Sequence, residues 1–256
     1  MRWQYYLIGV VAVLAACGQS DPDPTPTAEP VLPTATAIAP TPTPEPLPTP
    51  TQTPIPLSAI CSPLAGHEIA TLLSLYLTQP FIPPAGANKE TGHHGLDFAY
   101  YSGGPTGGHV NGTPIQSVLD AVVAGLGYNA VYGNYIITET PFARLPAELA
   151  QQYGASPDQS LYLLYAHLQQ PAPFAVGDAL ACAQVLGAVG DSGDRFFVSD
   201  PHLHLETRVG AGGLRLGPMA YYTTTASEED KAEYMRWRTG DEFRLADPSL
   251  LLTYEP

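Results

Sequence analysis

The chain has 256 residues, enough for one or two domains, with 10 basic against 24 acidic side chains and a formal charge of -14. No basic stripe interrupts that balance, which argues against nucleic acid as a partner and against electrostatic attachment to an anionic surface.

Residues 1–17 read as an export signal: one positive charge at Arg2, an apolar run from Tyr5 through Ala16, and small residues directly before Cys17. The run is short for a membrane span. Leu14-Ala15-Ala16-Cys17 has the form of a bacterial lipobox, whose cysteine is acylated and becomes the new N-terminus; the alternative is an ordinary signal peptide with a chance cysteine. Both place the mature chain outside the cytoplasm, and the first anchors it to the membrane through a lipid on Cys17. In that setting Cys61 and Cys182 remain as an even pair, either a disulfide or two small buried hydrophobes.

Residues 18–57 are dominated by proline, threonine and alanine, as in Thr41-Pro42-Thr43-Pro44. That composition has too little apolar surface for a core and favours an extended polyproline II stalk, with a reach on the order of 100 Å at roughly 3.1 Å per residue. The folded part is expected over 58–256. Its first element is a helix over Glu68–Leu77, with Ile69, Leu72, Leu73 and Tyr76 on one side and His67 at its start; Pro80, Pro83 and Pro84 end it. Strand patterns then dominate: Thr113–Ala124, Tyr135–Thr138, Leu161–Leu168 and Gln184–Val189, the last after a Val176-Gly177-Asp178 turn. The spacing predicts a mainly β domain. Two insertions, a helix around Leu145–Tyr153 and a charged helical stretch within Tyr222–Arg238, are expected beside the site, shaping access to it.

Three short motifs carry chemistry. In His93-His94-Gly95-Leu96-Asp97, an extended backbone sends His93 and Asp97 to one side, with Gly95 between them offering no side chain to obstruct an ion. Tyr165-Ala166-His167-Leu168 embeds a histidine in an apolar strand, which by itself also fits a hydrogen-bonded core residue. In His202-Leu203-His204-Leu205-Glu206, a strand puts both histidines and Glu206 on one face and the leucines on the other; alone, this also fits a half-exposed edge strand. His93, Asp97 and one nitrogen of the later pair make three ligands, with a fourth position left for water, as in catalytic zinc. Two histidines and a carboxylate without cysteine suit zinc better than iron–sulfur or calcium chemistry.

The order of H-x-G-x-D, Gly112-Thr113-Pro114, Gly133-Asn134-Tyr135, Tyr165-Ala166-His167-Leu168, Val176-Gly177-Asp178 and Pro201-His202-Leu203-His204 resembles the lysostaphin-like, LytM-type zinc endopeptidases over residues about 90 to 210. The resemblance implies an antiparallel β-sheet groove of barrel-sandwich hybrid (duplicated hybrid motif) type. It implies one Zn2+ held by His93, Asp97 and His204, with His167 and His202 in catalysis, and peptidoglycan peptides as substrate. His202 is assigned proton transfer and His167 orientation of water or oxyanion, roles that could be exchanged. A monomer is expected. The alternative is a catalytically silent member of the fold that binds an envelope partner or regulates another hydrolase. Asn134 and Glu206 are candidates for fixing imidazole tautomers, or for plain strand-end hydrogen bonding. His94 and His109 read as bystanders. Two departures stand out: no aromatic residue lies between Pro84 and Gly92, leaving Tyr100 or Tyr101 as substitutes for an oxyanion donor, and Asp194–Asp200 lacks the glycine-rich form.

Overall fold

The computed structural model describes residues 58–99, 110–198, 200–221 and 225–255, which lie in the compact unit Gln52–Pro256. The export signal, Cys17, the proline-rich stalk, Tyr100, Tyr101 and His109 fall outside the described residues. In chain order the elements are α1 (Ile69–Thr71, continued by a π turn over Leu72–Tyr76), β1 (Leu77–Gln79), β2 (Gly95–Phe98), β3 (Pro114–Gln116), β4 (Ala121–Asn129), β5 (Gly133–Pro141), a short 3-10 turn Phe142–Arg144, α2 (Ala147–Gln152), β6 (Gln159–Leu168), β7 (Ala179–Leu180), β8 (Val185–Ala188), β9 (Leu203–Ala211), α3 (Glu228–Arg238), β10 (Arg244–Ala246) and α4 (Ser249–Leu252).

The domain is mainly β and antiparallel. Among the described residues one sheet runs β1-β2-β9-β6-β5-β4-β7 with β10 also on β9, and β3 pairs with β8 in a second, two-stranded sheet; the large sheet stays open and no barrel closes. β6 is its central strand and β9 lies beside it. Along one edge β9 pairs with β6 from His204 to Ala211, and the other edge is shared, Leu203–Glu206 with β2 and Thr207–Val209 with β10.

Both faces of this centre are covered, which explains why β6 reads as a nearly continuous apolar run rather than a clean alternation. Leu161, Leu163 and Tyr165 join a large core with Leu96, Leu203 and Leu205. Tyr162, Leu164 and Ala166 face a second core built with Tyr132, Trp237 and Phe243. α3 supplies Tyr234 and Trp237 to the second core, so this helix lies over the sheet face that carries Glu206.

The expected first helix forms one residue later and gives up Leu77 to β1, and the helix around Leu145–Tyr153 appears as α2. The stretch Thr113–Ala124 splits into β3 and β4 because Ser117–Asp120 turns away between them, with the Ser117 hydroxyl donating to Leu119 O and the Ser58 hydroxyl receiving the Asp120 N–H. Cys61 and Cys182 are joined in a disulfide, their Cα atoms 5.8 Å apart. No helix among the described residues is long and apolar enough to cross a membrane.

Candidate metal centre

The register of β2 against β9 places Asp97 opposite His204 and Gly95 opposite Glu206. His93 lies just before β2, where it and Ile82 exchange two N–H···O bonds of 2.8 Å each. Its Nδ1–H donates to the Pro80 carbonyl at 2.8 Å, leaving the Nε2 lone pair facing inward. That atom is 3.1 Å from Asp97 Oδ1 and 3.2 Å from His204 Nδ1, and the latter two are 2.7 Å apart. The far side of His204 is fixed as well, with Nε2–H donating to Glu206 Oε1 at 3.1 Å.

Two imidazole lone pairs and a carboxylate oxygen therefore crowd one point, and lone pairs so close repel unless a cation stands between them. The two separations from His93 lie just inside the roughly 3.4 Å expected between ligands of a tetrahedral zinc with bonds of about 2.0–2.1 Å, whereas His204 Nδ1 and Asp97 Oδ1 stand at hydrogen-bond distance and would spread to admit the ion. Electrostatics point the same way. Burial pulls His204 down, yet the Asp97 and Glu206 carboxylates outweigh it and lift the ring to about 9. Burial alone would raise Asp97, and the facing His204 and His93 rings hold it well below the usual carboxylate range. A field that draws a second proton onto His204 is a field that draws cations. The donor set fits zinc.

His167 and His202 approach from two other segments. His167 has a left-handed backbone, φ 62, which costs a residue with a Cβ about 1–3 kcal/mol. The kink comes at the end of β6, with Ala166 still opposite His204 and Leu168 opposite Asn134. It is held by the His167 N–H to Tyr132 O and by the Gly190 N–H to His167 O, both 2.9 Å. The carbonyl of Gly190 accepts the His202 N–H at 3.1 Å, so one residue fastens both histidines.

The imidazole of His167 donates Nδ1–H to Ser192 O at 3.0 Å, and that of His202 donates Nδ1–H to Asp200 O at 2.8 Å. Nε2 is thus the unprotonated nitrogen in each neutral ring, with the two ring centres 4.4 Å apart and His202 Nε2 3.8 Å from Asp97 Oδ1. Burial, with help from His202 and His204, pushes His167 down to about 3. His202 is also lowered by burial, against the pull of Asp97. The four imidazoles and Asp97 line a cleft of about 310 Å3 with Phe197 on its wall.

Of the two tautomer-fixing candidates, Glu206 contacts an imidazole, whereas Asn134 makes strand-end bonds, its amide donating to Leu168 O at 3.1 Å. His94 is not in the ligand cluster; it accepts from Arg208 Nη2 on Nδ1 at 3.0 Å and donates from Nε2 to Thr91 O at 3.2 Å. His67 packs edge-on against Tyr76. Sequence reasoning missed Tyr132, Arg208, Trp237 and Arg238, which surround Glu206. Arg208 alone had a readable signal, since two residues after Glu206 on a strand it must share that face.

Residues 91–216 match the model of Peptidase family M23. Among solved structures, the catalytic domain of the antimicrobial peptidase lysostaphin from Staphylococcus simulans is 22% identical, covering 56% of this chain and 86% of that chain at a TM-score of 0.36. LytU is 18% identical over 55% of this chain and 77% of its own, TM-score 0.35. A chain of the SpoIIIAH and SpoIIQ complex is 16% identical over 62% and 96%, TM-score 0.39. No curated protein gives a match.

Proposed function

Because the chain belongs to Peptidase family M23 through residues 91–216, we propose that it is a zinc-dependent endopeptidase that hydrolyses peptide bonds of bacterial peptidoglycan. One observation carries this: His93, Asp97 and His204 turn their lone pairs to a single point, beside the buried His167 and half-buried His202 imidazoles, whose Nδ1–H groups are tied to backbone carbonyls.

Zinc held there would polarise the scissile carbonyl and bring the pKa of a water toward about 7. No H-E-x-x-H glutamate is present to act as base, so proton transfer falls to imidazole. His202 Nε2, close to the ligand cluster, takes a proton from the attacking water and returns it to the amine nitrogen as the C–N bond breaks. While it carries that proton, its Nδ1–H bond to the Asp200 carbonyl becomes charge-assisted. His167 orients the water or the oxyanion. Asp97, facing His93 and His204 together, stays ionised throughout.

The location belongs to the same proposal. A lipid on Cys17 and the stalk of 18–57 would hold the enzyme at the outer face of a membrane, within reach of the wall.

Elemental analysis of the purified protein should give about one zinc per chain, and soluble peptides should appear from purified cell walls unless a chelator is added. His204→Ala should lose both metal and activity; His202→Ala should keep its zinc and turn over poorly. A folded wild type that binds walls without zinc or cleavage would instead be a silent member of the fold. Mass spectrometry of the fragments would identify the bond cut.

A further inference from the structure

Glu206 is fully buried, so every lone pair it presents must be met by a protein donor. Its Oε1 accepts from His204 Nε2, Tyr132 OH at 2.9 Å and Arg238 Nη1 at 3.2 Å. Its Oε2 accepts from Arg208 Nη2 and from the Trp237 indole N–H, each at 3.1 Å. Trp237 and Arg238 are the last two residues of α3, which begins at Glu228, beyond residue 216 where the family match ends.

We propose that α3 is a clasp that completes the metal centre from outside the family core: Trp237 and Arg238 hold Glu206, and Glu206 holds His204 with its proton on Nε2 and its Nδ1 free for the ion. The proposal rests on the zinc site above.

The chemistry is specific. His204 offers Nδ1 to the ligand cluster, so the proton must sit on Nε2, and in a dry core only a fixed acceptor enforces that tautomer. Glu206 is the acceptor, but a carboxylate with donors missing turns toward whichever remain. Arg208 approaches only Oε2. The side of Glu206 that meets His204 is therefore shaped by Tyr132 and Arg238, and Arg238 also reaches the Tyr132 hydroxyl at 3.4 Å. α3 is itself held firmly, with Trp237 fully buried and Tyr234 packed on Tyr132 at 6.2 Å between ring centres. Trp237 and Arg238 are thus positioning residues, acting on the metal through Glu206 and His204.

The test uses the full chain, with Arg238→Met to remove the donors, Arg238→Lys to restore one, and Trp237→Phe to remove only the indole N–H. Zinc affinity by chelator competition should fall about 10–100-fold in Arg238→Met, the range usual for partners of metal ligands, and recover in part in Arg238→Lys. In the metal-free protein, the 1H–15N signal of the His204 Nε2–H should be slow to exchange in the wild type and lost in Arg238→Met. Trp237→Phe gives the same comparison should Arg238→Met not fold. Affinities within twofold of wild type together with an unchanged His204 signal would overturn the clasp. A wild type that takes up no zinc, with the His204 signal still lost in the variants, would remove the zinc proposal and leave the clasp standing.

Discussion

Gly95 separates two of the proposed ligands, His93 and Asp97, in sequence and lies against the third, His204, in space. On the sequence alone its missing side chain clears room for an ion; in the structure it clears room for a ligand, because a Cβ there would stand 2.5 Å from Leu205 O and 2.8 Å from His204 Cε1. The Leu205 carbonyl belongs to the β9 ladder and cannot retreat, so the His204 ring must. Gly95→Ala should therefore cost about 1–3 kcal/mol of stability and lower zinc affinity at least tenfold, measured by chelator competition; an unchanged affinity would mean that the ring has slack the packing does not suggest. His93, Asp97 and His204 were legible because each motif is short and one antiparallel register brings them together. The partners of Glu206 were not, since Tyr132, Trp237 and Arg238 come from separate segments and each alone resembles a core aromatic or a surface charge. The two proton-transfer candidates give a pH prediction at the same scale. A histidine lowered from its ordinary 6.5 stays neutral, and so a base, to more acidic pH; His167 sits at about 3 and His202 is also lowered. Activity that needs their neutral forms should persist below pH 6.5 until the ligands protonate. Measured where zinc stays bound, so that a proton on His204 does not limit the rate, the acid limb of kcat/KM against pH should thus fall below 6.5. A limb at or above that value with zinc still bound would show that at least one of the two rings does not titrate as its burial dictates.

At the level of elements, the site is made where strands end. β6 breaks its alternation at His167, and β9 begins only after His202. What brings these two ends together is the chain at Gly190, whose N–H and carbonyl serve one histidine each. The sequence patterns located both strands and both histidines, but periodicity carries no trace of a left-handed residue, and Gly190 gave no signal of its own. A Cβ at Gly190 would lie 2.7 Å from the Cα of Gln169, a contact with backbone rather than with a yielding side chain. Gly190→Ala should push the bridge apart and reduce kcat by about 100-fold, the order seen when a reacting group is displaced by about 1 Å, while zinc content stays at that of wild type. Loss of zinc in this variant would place Gly190 in the ligand framework instead. α3 shows what charge leaves out: the stretch Tyr222–Arg238 read as a charged helical insertion beside the site, and the helix that forms over Glu228–Arg238 also buries Tyr234 and Trp237 and backs the metal centre. Two buried aromatics in an otherwise polar stretch are too few to raise a periodic signal.

For the molecule as a whole, the disulfide divides what holds the fold from what holds the metal. Cys61 and Cys182 were an even pair only once Cys17 was assigned to the leader, and nothing in their spacing of 121 residues distinguished a bridge from two buried thiols; the Cα separation of 5.8 Å does. The bridge ties the start of the domain to the segment between β7 and β8. There the Cys61 N–H donates to Val118 O and the Cys182 N–H to Asp120 Oδ1, both at 2.8 Å. The loop it closes contains His93, Asp97 and His167, whereas His202 and His204 follow it in the chain. A crosslink over so long a loop acts mainly by restricting the unfolded chain, and losing it typically costs about 2–4 kcal/mol. The ligands depend instead on the β2–β9 register and on Glu206, neither of which touches a cysteine. Replacing both cysteines by serine should accordingly lower the urea midpoint by an amount worth about 2–4 kcal/mol while the folded variant still binds one zinc with unaltered affinity. If zinc affinity fell together with stability, the bridge would be part of the metal framework, and the independence of the two halves of the chain would be lost.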